Sequence, residues 1–381
     1  MKIKKICLGM LTLFVSINLC GCSVTDKFTV KNKPQKSSII ISNELKETES
    51  GKTSEDSLEE DKQSPEPSRK RKNNYQKIYL DAPLSYYDGG VVVVGDAAYE
   101  QYTYVEDTAL KYIKTVNGAA KKLNGVCDVY DMIIPTSIGV TFPDNKKKEV
   151  DSSDQQKALT NFKSKLSDNV RFVSPYTELM RHRKQYIYFR TDHHWTQLGA
   201  YYGYRSFCKT KGLTPNKLGD YQKESSGEFL GLLYKDTGNL ETLRKDVLKN
   251  FYPLHNDSIS LEYTDDNGEM VTGKVVQNGR NFSTGLKYCV FLEGDNSYSI
   301  IKNRAISDGS SCIIVKESFA NALIPFLADH YQRIYVVDYR YWDGNIVELA
   351  KEKSVDDVIF INNISMTRNS YLVGKMDLMV Q

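Results

Sequence analysis

Cys312-Ile313-Ile314-Val315-Lys316-Glu317-Ser318-Phe319-Ala320-Asn321 is the stretch that decides the fold class of this chain. Its first four residues are apolar and rich in β-branching, without the polar alternation of a strand that faces water on one side. Such a run suits a strand in a parallel sheet covered on both faces. It ends at a charged pair and Ser318, and a helix is expected over about 320–328. The same alternation recurs on either side. Downstream come a strand over 334–338, a helix over 346–351 and a strand over 358–361. Upstream lie strands over 91–94, 126–134 and 170–173, with helices over 108–123 and 157–166 between them. The pattern predicts an α/β layered fold with a mainly parallel sheet. Between about 214 and 290 Gly and polar residues dominate, with hairpin strands expected over 260–263 and 270–276. That stretch reads as a polar, partly β insertion.

The N-terminal end carries a different signal. Lys2, Lys4 and Lys5 precede an apolar run over 6–19 broken only by Ser16 and Asn18. A charged start and a short apolar middle make a secretory signal, and the run is short for a membrane span. Its exit, Leu19-Cys20-Gly21-Cys22, resembles the lipobox of bacterial lipoproteins, which makes Cys22 the residue that takes the lipid. The expected location is extracytoplasmic, anchored by lipid to the outer face of the cytoplasmic membrane. From 23 to about 74 the chain is Lys, Glu, Ser, Thr, Asp and Pro with few large apolar residues. It cannot bury enough surface to offset its ordering entropy and reads as a disordered tether. The expected organisation is thus a signal over 1–22, a tether over 23–74 and a folded domain over 75–381.

The 381 residues carry a formal charge of +3, which implies no general affinity for nucleic acid. Tyrosine is abundant at 26 residues, a composition that suits sugar-facing clefts and half-buried strands alike. Beyond the signal, Cys127, Cys208, Cys289 and Cys312 show no close pairing and no C-x-x-C. Buried free thiols are expected, one disulfide stays open, and neither a metal site nor a cofactor is anticipated.

The densest chemistry lies at Thr191-Asp192-His193-His194-Trp195. Asp and His are metal ligands, but adjacent residues of an extended segment point to opposite sides, so His193 and His194 would not share one ion. Asp192 and His194 lie two apart and can face the same way, as a carboxylate must to orient an imidazole in a hydrolase triad. Trp195 could stack on a sugar, and a structural polar loop would use the same residues. Ser318 has the position a nucleophile needs, on a turn after a strand and ahead of a helix whose N-terminus favours an oxyanion. A helix-capping serine would occupy the same position.

Tyr188-Phe189-Arg190-Thr191-Asp192-His193-His194-Trp195-Thr196, followed by Gly199-Ala200-Tyr201, resembles the signature of the DHHW proteins of Gram-positive bacteria. A second block, from Val315 through Asn321 to Pro325-Phe326-Leu327 and His330-Tyr331, is similar too, as is Val336-Val337-Asp338-Tyr339-Arg340-Tyr341. The resemblance spans roughly 75–371. It implies an SGNH-like three-layer fold similar to the periplasmic alginate O-acetyltransferase proteins, with the triad in permuted chain order. Ser318 would then be the nucleophile, His194 the general base and Asp192 its partner. Glu317 stands where the family more often has Asp. Asn321, one turn after Ser318, and Asn296, in a turn where the family often has Gly-Gly-Asn, are the candidate oxyanion donors. Arg190 and Arg340 could bind an anionic group or pair structurally. The resemblance implies an O-acyltransferase or esterase acting on a cell-surface or exported polysaccharide, with a membrane-bound O-acyltransferase as acyl donor. The competing reading is a non-catalytic carbohydrate-binding or cell-envelope assembly protein that keeps the fold.

Overall fold

A computed structural model describes residues 75–381. Cys22, the signal and the tether lie outside the described residues. Among the described residues, thirteen strands form three sheets. The first three, β1 (Leu84–Tyr87), β2 (Val91–Val94) and β3 (Ala97–Glu100), make an antiparallel meander. The main sheet has eight strands. Its parallel half is β4 (Asp128–Ile134), β5 (Val170–Val173), β11 (Ser311–Lys316), β12 (Arg333–Asp338) and β13 (Asp357–Asn363), in the spatial order β5-β4-β13-β11-β12. The antiparallel β10 (Tyr298–Asn303), β8 (Ile259–Thr264) and β9 (Met270–Gly273) continue it beyond β12. A separate hairpin joins β6 (Lys223–Phe229) and β7 (Asp246–Phe251).

The central parallel strands bury both faces, which explains their apolar runs. On β11, Cys312 and Ile314 enter one core while Ile313 and Val315 enter the other. On β13, Ile359 and Ile361 share the first core, and Val358 and Phe360 the second. The helix Gln197–Lys211 covers the first face through Ala200, Tyr204 and Phe207. The helices Glu106–Lys122, Gln155–Lys165, Ile346–Lys353 and Ser370–Leu378 cover the second. The result is a three-layer α/β sandwich. The chain leaves β11 for β12 on one side and returns to β13 on the other. A crevice forms at such a switch point, beyond the carboxyl ends of the strands, and Ser318 lies there, two residues past β11.

Two expectations differ from the structure. The valine run 91–94 is a buried strand, but of the antiparallel meander and not of the parallel sheet. Val92 and Val94 enter the second core and Val91 and Val93 a small separate one, so β-branching alone could not reveal its partners. The helix expected over 320–328 is instead a short 3-10 turn, Ser318–Ala322, and one α-turn, Ile324–Leu327. Pro325 lacks an N–H and its ring opposes the carbonyl four residues back, so one continuous helix is excluded. The segment 214–290 adds β8 and β9 to the main sheet, and its other hairpin reaches the site described next. Cys127, Cys208 and Cys312 are free thiols. No helix of the described residues is long and apolar enough to cross a membrane.

Candidate active site

Segment 188–195 is a bent hairpin, closed where Tyr188 and Trp195 bridge antiparallel. Thr196 follows at once and caps the helix Gln197–Lys211, its hydroxyl accepting from the Gly199 N–H at 3.3 Å. Trp195 is fully buried and its indole N–H donates to the Phe319 carbonyl at 2.9 Å. It therefore offers no face to a sugar. It ties the histidine loop to the serine turn.

That tie brings the predicted triad together. His194 Nε2 lies 2.8 Å from Ser318 Oγ, and His194 Nδ1 lies 2.6 Å from Asp192 Oδ1. A carboxylate only accepts, so Nδ1 carries the hydrogen and Nε2 is left as the acceptor for the serine hydroxyl. Asp192 Oδ1 also accepts the His194 backbone N–H at 3.0 Å. This Asx turn makes a spacing of two work in a bent segment. The other oxygen, Oδ2, accepts the Leu232 N–H at 3.0 Å. Gly231 allows that approach, since a Cβ there would stand 2.1 Å from Asp192 Oδ2.

All three side chains are nearly buried, and this sets their protonation. Burial, helped by His193, pushes the His194 imidazole down to about 4 against the upward pull of Asp192, so it rests neutral. Burial would raise the Asp192 carboxyl. The neighbouring imidazoles and the hydrogen bonds from His194 override it and hold Asp192 below the usual carboxylate range.

His193 differs from its expectation. Its ring centroid is 4.0 Å from that of His194, because the backbone bends here and places neighbours on one side. Asp192, His193 and His194 thus bring one ligand atom each within 4.8 Å of one another. The Asp192 oxygens are already engaged by Leu232 and His194, and His194 Nε2 faces Ser318. The donor set fits a proton relay better than metal ligation.

Three residues that the sequence did not single out complete the site, all from segments before Ser318 and after Trp195. Tyr288 stacks on His194 with ring centroids 3.9 Å apart and planes 14° apart, and its hydroxyl donates to the Ser318 carbonyl at 3.2 Å. Asp246, on β7, is buried and accepts from the Thr191 N–H at 2.7 Å, the Thr191 hydroxyl at 2.6 Å and the Arg190 N–H at 3.0 Å, as well as from the Tyr186 hydroxyl. Burial raises its carboxyl, and these bonds restrain the rise. Leu232 is the third, through its N–H. Asp and Tyr in a polar stretch carry no periodic signal that would have marked them.

The weaker candidates have structural partners. Asn321 donates to Asp295 Oδ1 at 2.9 Å and to the Gly294 carbonyl at 3.3 Å, so its amide holds the 293–296 turn. Asn296 closes the same turn by donating to the Leu292 carbonyl at 2.8 Å. Leu292, Glu293 and Gly294 all have positive φ there. Arg340 is held by Asp338 at 2.6 Å and Asp295 at 3.0 Å, in a buried network with Lys316. Arg190 stands 3.8 Å from Asp246 with its guanidinium 4.7 Å over the Tyr186 ring. Glu317 caps the serine turn. It accepts the Phe319 N–H at 3.1 Å and the Asn363 N–H at 2.9 Å, and lies 3.4 Å from Ser318 Oγ, farther than His194.

Residues 81–337 match the family described as DHHW protein. The chain belongs to the DHHW family. Among solved structures, a DHHW family protein from Eubacterium siraeum DSM 15702 aligns with a TM-score of 0.69 at 26% identity, over 78% of this chain and 97% of that one. Bacillus cereus PatB1 with sulfonyl adduct aligns with a TM-score of 0.61 at 19% identity, over 76% of this chain and 97% of that one. Comparison with curated proteins finds no match. Within the family match fall both the histidine loop and the serine turn, joined here by 2.8 and 2.6 Å contacts.

Proposed function

We propose that this DHHW protein is a serine O-acyltransferase or esterase acting outside the cytoplasm on a polysaccharide. The observation that carries the reading is the buried hydrogen-bond chain from Ser318 Oγ through His194 to Asp192, at 2.8 and 2.6 Å. Ser318 attacks the carbonyl carbon of an acyl donor while His194 Nε2 takes its proton, and Asp192 stabilises the imidazolium that forms. Backbone N–H groups of the turn that follows β11 hold the oxyanion. Collapse of that intermediate passes the proton from His194 to the leaving group and leaves an acyl-serine ester. A sugar hydroxyl or water then gives its proton to His194 as it attacks the ester, and Ser318 leaves with a proton returned from Nε2.

Within this reading Cys22 holds the enzyme at the membrane, and a membrane-bound O-acyltransferase supplies acyl groups from across the bilayer. The test is incubation with a nitrophenyl acetate. Wild type releases the phenol and gains a transient acetyl mass, and Ser318→Ala does neither. Identical behaviour of the two across several acyl chains would leave the carbohydrate-binding reading in its place.

A further inference from the structure

A cleft of about 570 Å3 opens between the segment 77–80, the turn joining β2 to β3, and the segment 183–190. The last of these walls runs, two residues on, into Asp192. Lys77, Arg183, Lys184 and Arg190 line the cleft against a single carboxylate, Asp96. Asp96 is itself half-exposed and 3.8 Å from Arg244. Tyr79 lines it too, with 63% of its surface exposed.

Two of the arginines hold unspent donors. Arg183 is 2% exposed; its fork grips Asp144 at 2.8 Å and the Phe142 carbonyl at 2.9 Å, yet its Nε has no partner. That nitrogen is enclosed, so Arg183 lends the cleft charge rather than a direct contact. The Arg190 guanidinium lies beyond hydrogen-bond reach of Asp246, at 3.8 Å, and its side chain is 29% exposed. Planar guanidinium groups favour carboxylate and phosphate oxygens.

We propose that this cleft binds an acidic saccharide unit, one bearing a carboxylate or a phosphate. The acid group meets Arg190, with the charges of Lys77 and Lys184 beside it, and the sugar ring lies against Tyr79. The assignment rests on the preceding reading only for its purpose, which is to hold an acidic polymer beside the Asp192–His194 loop. Binding itself needs no chemistry at Ser318.

Calorimetric titration of the full-length chain with trigalacturonate, with a glycerol phosphate oligomer and with maltotriose tests it. Saturable binding of one or both acidic ligands is expected, weakening with salt, and no saturation by maltotriose. The two acidic arms tell a carboxylate site from a phosphate site. Arg190→Gln should weaken binding about tenfold, and Arg190→Gln with Lys77→Gln further. The backbone N–H of Arg190 makes the Asp246 bond, so the loop keeps its anchor in these variants, and an unchanged thermal melt separates lost binding from lost fold. Tyr79→Ala, on the exposed wall, provides a second variant without a buried partner to lose. Equal binding of maltotriose, or acidic binding unchanged in the double variant, overturns the assignment. Ester hydrolysis without acidic binding removes the cleft and leaves the serine chemistry; binding without hydrolysis does the reverse.

Discussion

Thr191 gives both of its donors to one oxygen of Asp246, its backbone N–H at 2.7 Å and its hydroxyl at 2.6 Å. The next residue is Asp192, so a carboxylate 55 residues away in the chain fixes where the triad begins. Asp246→Ala should leave at least two buried donors unsatisfied. The expected loss is about 2–4 kcal/mol of unfolding free energy, read by urea denaturation. Asp246→Asn keeps the shape but turns one acceptor into a donor facing donors. It should lower kcat more than it raises KM, because what moves is the relay and not the substrate.

Asp192→Asn is expected to be severe. Asp192 must accept from Leu232 N–H on one oxygen and from His194 on the other, and an amide has only one acceptor. The imidazole is driven to the wrong tautomer, with a loss of about 10³–10⁴-fold in kcat for nitrophenyl acetate. A loss under tenfold would count against the relay.

Gly231→Ala tests the same seat from outside. The added methyl would stand 2.1 Å from Asp192 Oδ2. Hydrolysis should fall strongly while far-ultraviolet circular dichroism stays close to wild type, since only the loop needs to shift.

The pH profile has a defined sign. His194 acts as base when neutral, and burial holds its pKa down to about 4. The acid limb of kcat/KM should therefore lie below the ordinary histidine value of about 6.5. Stability moves in the same direction. Between about 6.5 and 4 the unfolded chain takes up a proton that folded His194 refuses, so unfolding free energy from this group falls as pH falls through that window. His193→Gln removes a neighbour that depresses His194 and should move the limb upward.

Cys22→Ser is expected to keep ester hydrolysis by the purified chain and to impair polymer modification in cells. Full modification by the unlipidated chain would make the anchor unnecessary to the reaction.

The parallel core was legible because its central strands are buried on both faces, so Cys312–Val315 and Val358–Ile361 read as unbroken apolar runs. The meeting of Asp192, His194 and Ser318 was legible because Asp-x-His lets the two side chains face one way and a serine just after a buried strand lies at the sheet's edge. The orientation of His193 was not, since strand alternation fails in a bent loop. The broken helix after Ser318 hinges on Pro325, which sits within a run of apolar residues that otherwise has the look of a helix. Asp246, Tyr288 and Leu232 escaped notice for another reason. Their roles come from contacts across tens of residues, and nothing in their neighbours along the chain reports them. Trp195 was noticed for the wrong property, as a sugar platform, when its buried indole serves as a crosslink.

The hairpin β8–β9 widens the sheet while the chain just before it seats Asp192, and this restricts how the protein can vary. A shortened version lacking 214–290 would keep Ser318 on its strand but strip Asp192 of the Leu232 N–H, Thr191 of Asp246 and His194 of its Tyr288 stack. Lineages can therefore alter this stretch only in step with the histidine loop. A comparison of relatives should find paired changes between Asp246 and Thr191, or between Gly231 and Asp192, and few solitary ones.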